Sequence, residues 1–211
     1  EIGSGLVGSE MCIRDRSTSS TLPTTSQPST GTVKKYVDKY IDEGYTDLII
    51  ITLSSGISSF YNNVLSVADE ESRINIHPFD CKITCAGEAN AAILAGRLVK
   101  AGADIDLIMH DLKDLRNTTD VRFMVANLNH LKRTGRLSNA ASFDEEREAE
   151  WVSDYESSFP KVKIYQSIIG PVVGVHVGQH TMAMIWGRDL DSYFDENGKP
   201  IKDIKSKVVE D

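Results

Sequence analysis

Residues 47–60, DLIIITLSSGISSF, restrict the fold of this chain more than any other stretch. A short, strongly apolar run from Leu48 to Leu53 is bounded by turn residues, which predicts a strand buried on both faces. The chain then breaks at Ser54, Ser55, Gly56, Ile57, Ser58 and Ser59 and resumes in a helical pattern. A Ser/Gly turn between a buried strand and a helix gathers hydroxyls and unpaired backbone N–H groups at one point. That geometry suits a phosphate or a carboxylate. The same residues also serve simply to turn the chain and cap a helix.

The rest of the chain repeats the alternation. Val33, Tyr36, Val37, Tyr40 and Ile41 fall at helical spacing, and Gly44 is placed to end that helix. After the serine turn, Phe60, Val64, Val67 and Ala68 share one helical face. Ile74 and Ile76 begin a short strand towards Phe79. Residues 84–101 form a helix of small residues, able to approach a sheet closely, and Gly102 ends it. Ile105, Ile108, Met109, Leu112 and Leu115 mark a further helix, and Val121, Phe123 and Val125 a strand. Helix–strand alternation with short connections predicts an α/β fold with a mainly parallel sheet and flanking helices. Ligands of such sheets sit beyond the carboxyl ends of the strands. The serine turn and the segment around Asp80 and Cys81 are both at such ends.

Beyond Ser142 the composition shifts. Residues 144–157, DEEREAEWVSDYES, read as an acidic helix burying Trp151, Val152 and Tyr155. Val162 and Ile164 alternate into a strand, and IIGPVVGVHVG at 168–178 is a second turn-rich apolar segment. Met182, Ala183, Ile185 and Trp186 continue it into a short element. From Asp189 the chain is polar, with an Asn197–Gly198 turn, and a frayed tail is expected.

Composition excludes several classes. With 40% apolar residues among 211, a core is available. A net charge of −8 argues against nucleic acid as a partner, although Lys132, Arg133 and Arg136 form a local basic turn. Cys12, Cys81 and Cys85 supply neither a disulfide framework nor the paired C-x-x-C of a zinc site, so no metal is expected and a cytoplasmic home is. Cys81 and Cys85 are expected to be inert core thiols. No apolar run reaches the roughly 20 residues of a membrane helix, so membrane contact is expected to be transient at most. Residues 4–16, SGLVGSEMCIRDR, resemble a translated sequencing adapter and are expected to lie outside the fold.

Four pieces together resemble the DegV family of bacterial fatty-acid-binding proteins. They are TSQPS at 25–29, ITLSSGISSFY at 51–61, LKRTGRLSNA at 131–140 and IGPVVGVHVG at 169–178. The resemblance implies a long-chain fatty acid held between two α/β domains. It also implies presentation of that acid to an ATP-dependent fatty acid kinase, which makes an acyl phosphate for phospholipid synthesis. The chain itself would then be a binding subunit, not an enzyme, with no cofactor of its own. Residue by residue, Thr25 matches the family's carboxylate-binding threonine, with Ser26 beside it. Ser58 matches the serine that meets the same carboxylate, and His176 the histidine near the head group. On this basis residues 1–20 are disordered, 21–142 form a DegV N-terminal domain without its first strand, and 143–211 are the remnant of an incomplete second domain ending in a polar tail.

The sequence departs from the family pattern in places. Phe60 stands where a small residue is usual, with the expectation that it alters the pocket lining. Gly178-Gln179-His180 replaces a usual G-P-G, and a block expected after Ser142 is missing. The chemistry nevertheless matches the residues. A fatty acid tail favours burial by ~0.8 kcal/mol per methylene, while its carboxylate must not be buried unpaired. Hydroxyls of Thr25 and Ser58, a helix N-terminus and His176 meet that need. No G-x-x-x-x-G-K-[ST] loop is present, so phosphoryl transfer falls to a partner. The alternative is a small α/β hydrolase or phosphotransferase using Ser58 and His176, although Ser55-Gly56-Ile57-Ser58-Ser59 lacks the second glycine of a nucleophile elbow.

Overall fold

The computed structural model describes residues 25–124, 173, 176, 177 and 181–202. The chain divides into two compact units, one of Gln27–Val121 with Ile185–Asp211, the other of Glu1–Ser26 with Arg122–Met184.

In the first of these, α1 (Thr30–Asp42) leads to β1 (Asp47–Thr52), α2 (Phe60–Glu70), β2 (Asn75–Asp80), α3 (Ala86–Lys100) and α4 (Ile105–Thr118). β1 and β2 are parallel, in register from Asp47 opposite Asn75 to Thr52 opposite Asp80. The run from Leu48 to Ile51 is partly buried and packs on both faces, short of the full burial its composition predicts. Leu48 and Ile50 pack with Val33, Val37, Val67 and Ile74, on the side of α1 and α2. Ile49 and Ile51 pack into the larger cluster of Phe79, Leu94, Leu98, Ile108, Leu112 and Leu115, on the side of α3 and α4. Strand alternation thus feeds two cores from one six-residue element. A mixed α/β architecture with a parallel sheet is what the sequence predicts.

Local chemistry sets the ends of the elements. Ser29 caps α1 by accepting the Thr32 N–H at 3.2 Å. Gly44, at φ +83°, closes the same helix with paired bonds from its own N–H to Ile41 and from Tyr45 N–H to Tyr40, and the Tyr40 and Tyr45 rings meet edge to face at 5.7 Å. Asp104 caps α4 through the Leu107 N–H. Gly87 is buried in the first turn of α3, where a Cβ would meet the side chain of Ile83, in the loop before the helix, at 2.7 Å. α3 begins at Ala86, not Thr84, because Cys85 has φ 57° and cannot be helical.

β3 (Asp120–Met124) and β4 (Met182–Trp186) pair in a second two-stranded sheet. The expectation of a loose polar tail from Asp189 does not hold for 189–202. A 3-10 helix, Leu190–Tyr193, is capped by Asp189, and Phe194 pairs with Pro200 across the turn at Gly198. Tyr193 is fully buried in the α3–α4 core, where its hydroxyl donates to Asp114 Oδ2 at 2.7 Å. Arg188 pairs with the same carboxylate oxygen at 2.7 Å. Leu190 and Phe194 pack against the same core and Arg97 pairs with Asp191 at 2.9 Å, so several contacts together recruit this polar stretch. Ile185–Asp211 groups in one compact unit with Gln27–Val121. The basic turn at Lys132, Arg133 and Arg136, the acidic helix and the strand around Ile164 lie outside the described residues. Val173, His176 and Val177 are helical, in a segment that reads as a turn-rich apolar stretch.

Replacing Tyr193 with Phe removes only the hydroxyl and is expected to lower stability by about 1 kcal/mol. Tyr193→Ala is expected to cost roughly 3–5 kcal/mol, as for other buried aromatics. Urea unfolding of both variants checks this. A neutral Tyr193→Ala would show that the segment is not part of the core.

Candidate functional site

The serine turn is fastened on several sides. Ser54 N–H donates to Ile83 O at 2.8 Å, joining it to the segment after β2. Within the turn, Ser54 O accepts from Ile57 N–H at 3.1 Å and Ser58 N–H at 3.2 Å, and its hydroxyl accepts from Gly56 N–H. Ser55 is clamped by Asp80, the last residue of β2. Its N–H reaches Asp80 Oδ1 at 3.1 Å and its hydroxyl donates to Oδ2 at 2.6 Å. Asp80 is itself buried, and Lys82 N–H donates to Oδ1 at 3.0 Å. Burial alone would raise the pKa of this carboxyl. The hydrogen bonds from Ser55 and Lys82, with the charge of Arg116, outweigh it and hold the value below the ordinary 3.8. Lys82 and Cys85 both sit at positive φ in the loop after Asp80, a conformation that costs non-glycine residues of order 1–3 kcal/mol and persists only under outside constraint.

Ser58 is half-buried, and its hydroxyl accepts the N–H of Phe60, the first residue of α2, at 3.2 Å. It therefore acts as a cap, although the residue at the cap position is Ser59. The Ser59 hydroxyl instead donates to Gln27 Oε1 at 3.0 Å, while Asn63 Nδ2 donates to Pro28 O at 3.1 Å and Thr30 Oγ1 to Asn63 Oδ1 at 2.6 Å. The end of the TSQPS motif is thus tied directly to the serine turn and α2. Phe60 packs with the α1–α2 core beside Val33 and Val37.

In the other unit, Thr25 Oγ1 and His176 Nε2 lie 2.8 Å apart, a hydrogen bond spanning 151 residues of sequence. Two of the four residues singled out by sequence therefore meet. Ser26 is exposed. Ser58 belongs to the other unit. Asp80 and Gln27 are contributors that sequence reasoning did not assign. The available signal for Asp80 was an acidic residue directly after buried Phe79, at the end of an apolar strand. Cys81 is buried, which pushes its thiol up to about 12, and burial raises Cys85 as well, so neither is a ready thiolate near neutral pH. Among the described residues no group of three or more His, Cys, Asp or Glu is placed to hold a metal ion. No helix among them is long and apolar enough to cross a membrane.

A family model described as "Uncharacterised protein, DegV family" matches residues 9–144. The chain belongs to the DegV family. The match begins inside the stretch that resembles a translated adapter. Among DegV relatives, a DegV domain-containing protein of Staphylococcus aureus is 31% identical over 176 residues, covering 82% of this chain and 57% of that protein. The chain thus spans little more than half of that relative. The fold is shared with the crystal structure of DegV, a fatty acid binding protein from Bacillus subtilis. There the TM-score is 0.73 at 24% identity, over 86% of this chain and 84% of that one. It is shared too with a fatty acid binding DegV family protein from Streptococcus agalactiae, at TM-score 0.76 and 21% identity, again over 86% and 84%.

The depressed pKa of Asp80 fixes the sign of a pH effect. Its contribution is present above the ordinary carboxylate value and is lost as pH falls through the lowered one. Asp80→Asn is expected to destabilise by roughly 1.5–3 kcal/mol at neutral pH, the range for a hydrogen-bonded charged group. The gap to the unsubstituted chain should narrow in acid. Urea unfolding at pH 7 and at successively lower pH tests both parts. A gap that does not change with pH would contradict the assignment.

Proposed function

We propose that this chain binds a long-chain fatty acid and is not itself a catalyst. The carboxylate is met by the hydroxyls of Thr25 and Ser58, with Ser26 and His176 beside it, and the tail is held in an apolar tunnel. The observation that carries this reading is the 2.8 Å contact between Thr25 and His176, which joins two separate motifs of a DegV-family chain. The titles of the B. subtilis and S. agalactiae structures, which name fatty acid binding, support it further.

The energetics divide between the two ends of the ligand. A C16 tail gains about 0.8 kcal/mol for each methylene removed from water, so affinity comes from apolar burial. The carboxylate needs donors, since burial without them costs several kcal/mol. Hydroxyls and an imidazole provide these without adding a buried charge that would itself need a partner. Such a site holds a carboxylate without activating it. In our reading an ATP-dependent fatty acid kinase takes the bound acid as its substrate and forms the acyl phosphate, which feeds phospholipid synthesis in the cytoplasm. The hydrolase alternative gains no support. Ser55-Gly56-Ile57-Ser58-Ser59 lacks the second glycine of a nucleophile elbow, and the described bond of His176 is to Thr25.

Native mass spectrometry of the purified protein, with lipid extraction, tests the proposal. One bound fatty acid per chain is expected, and its loss in the Thr25→Ala, Ser58→Ala double variant. A folded protein with no adduct, and none after addition of palmitate or oleate, would overturn it. So would formation of acyl phosphate from ATP and palmitate by this chain alone.

A further inference from the structure

We infer that Asp80 is a positioning residue for the carboxylate end of the ligand, acting through Ser55 on the turn that carries Ser58. The inference rests on the fatty-acid reading above and assigns a role to a residue that would not itself touch the ligand. Asp80 is buried at the end of β2 and both of its oxygens are committed, Oδ1 to Ser55 N–H and Lys82 N–H, Oδ2 to the Ser55 hydroxyl. Its own carbonyl accepts from Arg116 Nη1 at 3.1 Å, so the backbone at this point is held from α4 as well. Three residues beyond Ser55, Ser58 takes its place through a bond from its N–H to Ser54 O, and Ser54 in turn is bonded to Ile83 O in the segment Asp80 also organises.

The arrangement has a chemical reason. A buried carboxylate facing the opposite flank of the turn consumes the N–H and hydroxyl of Ser55. Ser54 and Ser58 then remain as half-buried hydroxyls of the turn with no acid in their described bonds, Ser54 accepting Gly56 N–H and Ser58 accepting Phe60 N–H. The clamp fixes the turn that carries Ser58 and occupies Ser55.

Equilibrium dialysis of the delipidated full chain against palmitate and, separately, 1-hexadecanol tests the proposal, because the alcohol shares the tail and lacks the carboxylate. Ser55→Ala removes one of the three bonds to Asp80, and Asp80→Asn removes the charge. Each is expected to weaken palmitate roughly tenfold, on the scale of one lost hydrogen bond, and to leave hexadecanol within about twofold. Ser55→Thr keeps the hydroxyl and is expected to restore palmitate binding. If Asp80→Asn does not fold, the Ser55 pair decides. Unchanged palmitate affinity in Ser55→Ala would overturn the inference, as would equal losses for palmitate and hexadecanol, which a merely structural role produces. Failure of the unsubstituted chain to bind palmitate would instead overturn the fatty-acid reading on which it rests.

Discussion

Everything else in the described N-terminal unit depends on burying β1 from both sides. An isolated run of four consecutive isoleucine and leucine side chains has no stable surface position. Here alternate residues are taken up by two different helix pairs, Leu48 and Ile50 by one and Ile49 and Ile51 by the other. Two-sided cover leaves the strand ends as the only exits for function. At the carboxyl end the chain must reverse out of the sheet, and there polar groups replace apolar ones within three residues. Thr52 is still buried, with its hydroxyl bonded to Phe79 O, whereas Ser55 is already answering Asp80. The serine turn is thus a consequence of the core as much as a feature added to it.

Much of this was legible in the residues. The alternation of apolar runs and helical patterns located α1 to α4 and the first three strands. Gly44 and Gly102 marked helix ends because each adopts a positive φ that the chain needs there. The family resemblance rested on motifs that the structure joins, Gln27 to Ser59 and Thr25 to His176. The misses share a physical cause. Tyr193 sits among Asp189, Asp191, Ser192 and Asp195, and no local period distinguishes a tyrosine that plugs a core from one in a solvated tail. Its burial depends on Asp114, 79 residues away. The role of Asp80 was hidden in the same way, since its partner Ser55 is 25 residues distant and both residues are individually ordinary. Sequence periodicity reports which face is apolar. It carries no information on which polar pairs close over long separations.

The cysteines and the loop after β2 illustrate how local rules yield to tertiary demands. Residues 84–101 satisfy helical propensity, yet the helix starts late because Cys85 is held at φ 57°. Lys82 shows the same departure, and its N–H is bonded to Asp80. Two unfavourable backbone positions in four residues are sustained by the contacts that fasten the serine turn.

The segment that ends in Tyr193 also bears on how the molecule is made. The N-terminal unit is assembled from two stretches of chain, with residues 122–184 synthesised in between. Its α3–α4 core already holds Phe79, and it gains a second buried aromatic, Tyr193, only after residues 122–184 have been made. Neither unit is continuous in sequence, so neither closes before part of the other has been made. Closure over so long a separation raises contact order and slows folding, and the apolar surface left open meanwhile is the kind that chaperones cover. A clasp that looks like a minor turn in the finished protein thus makes the closing of this core wait on a segment far along the chain.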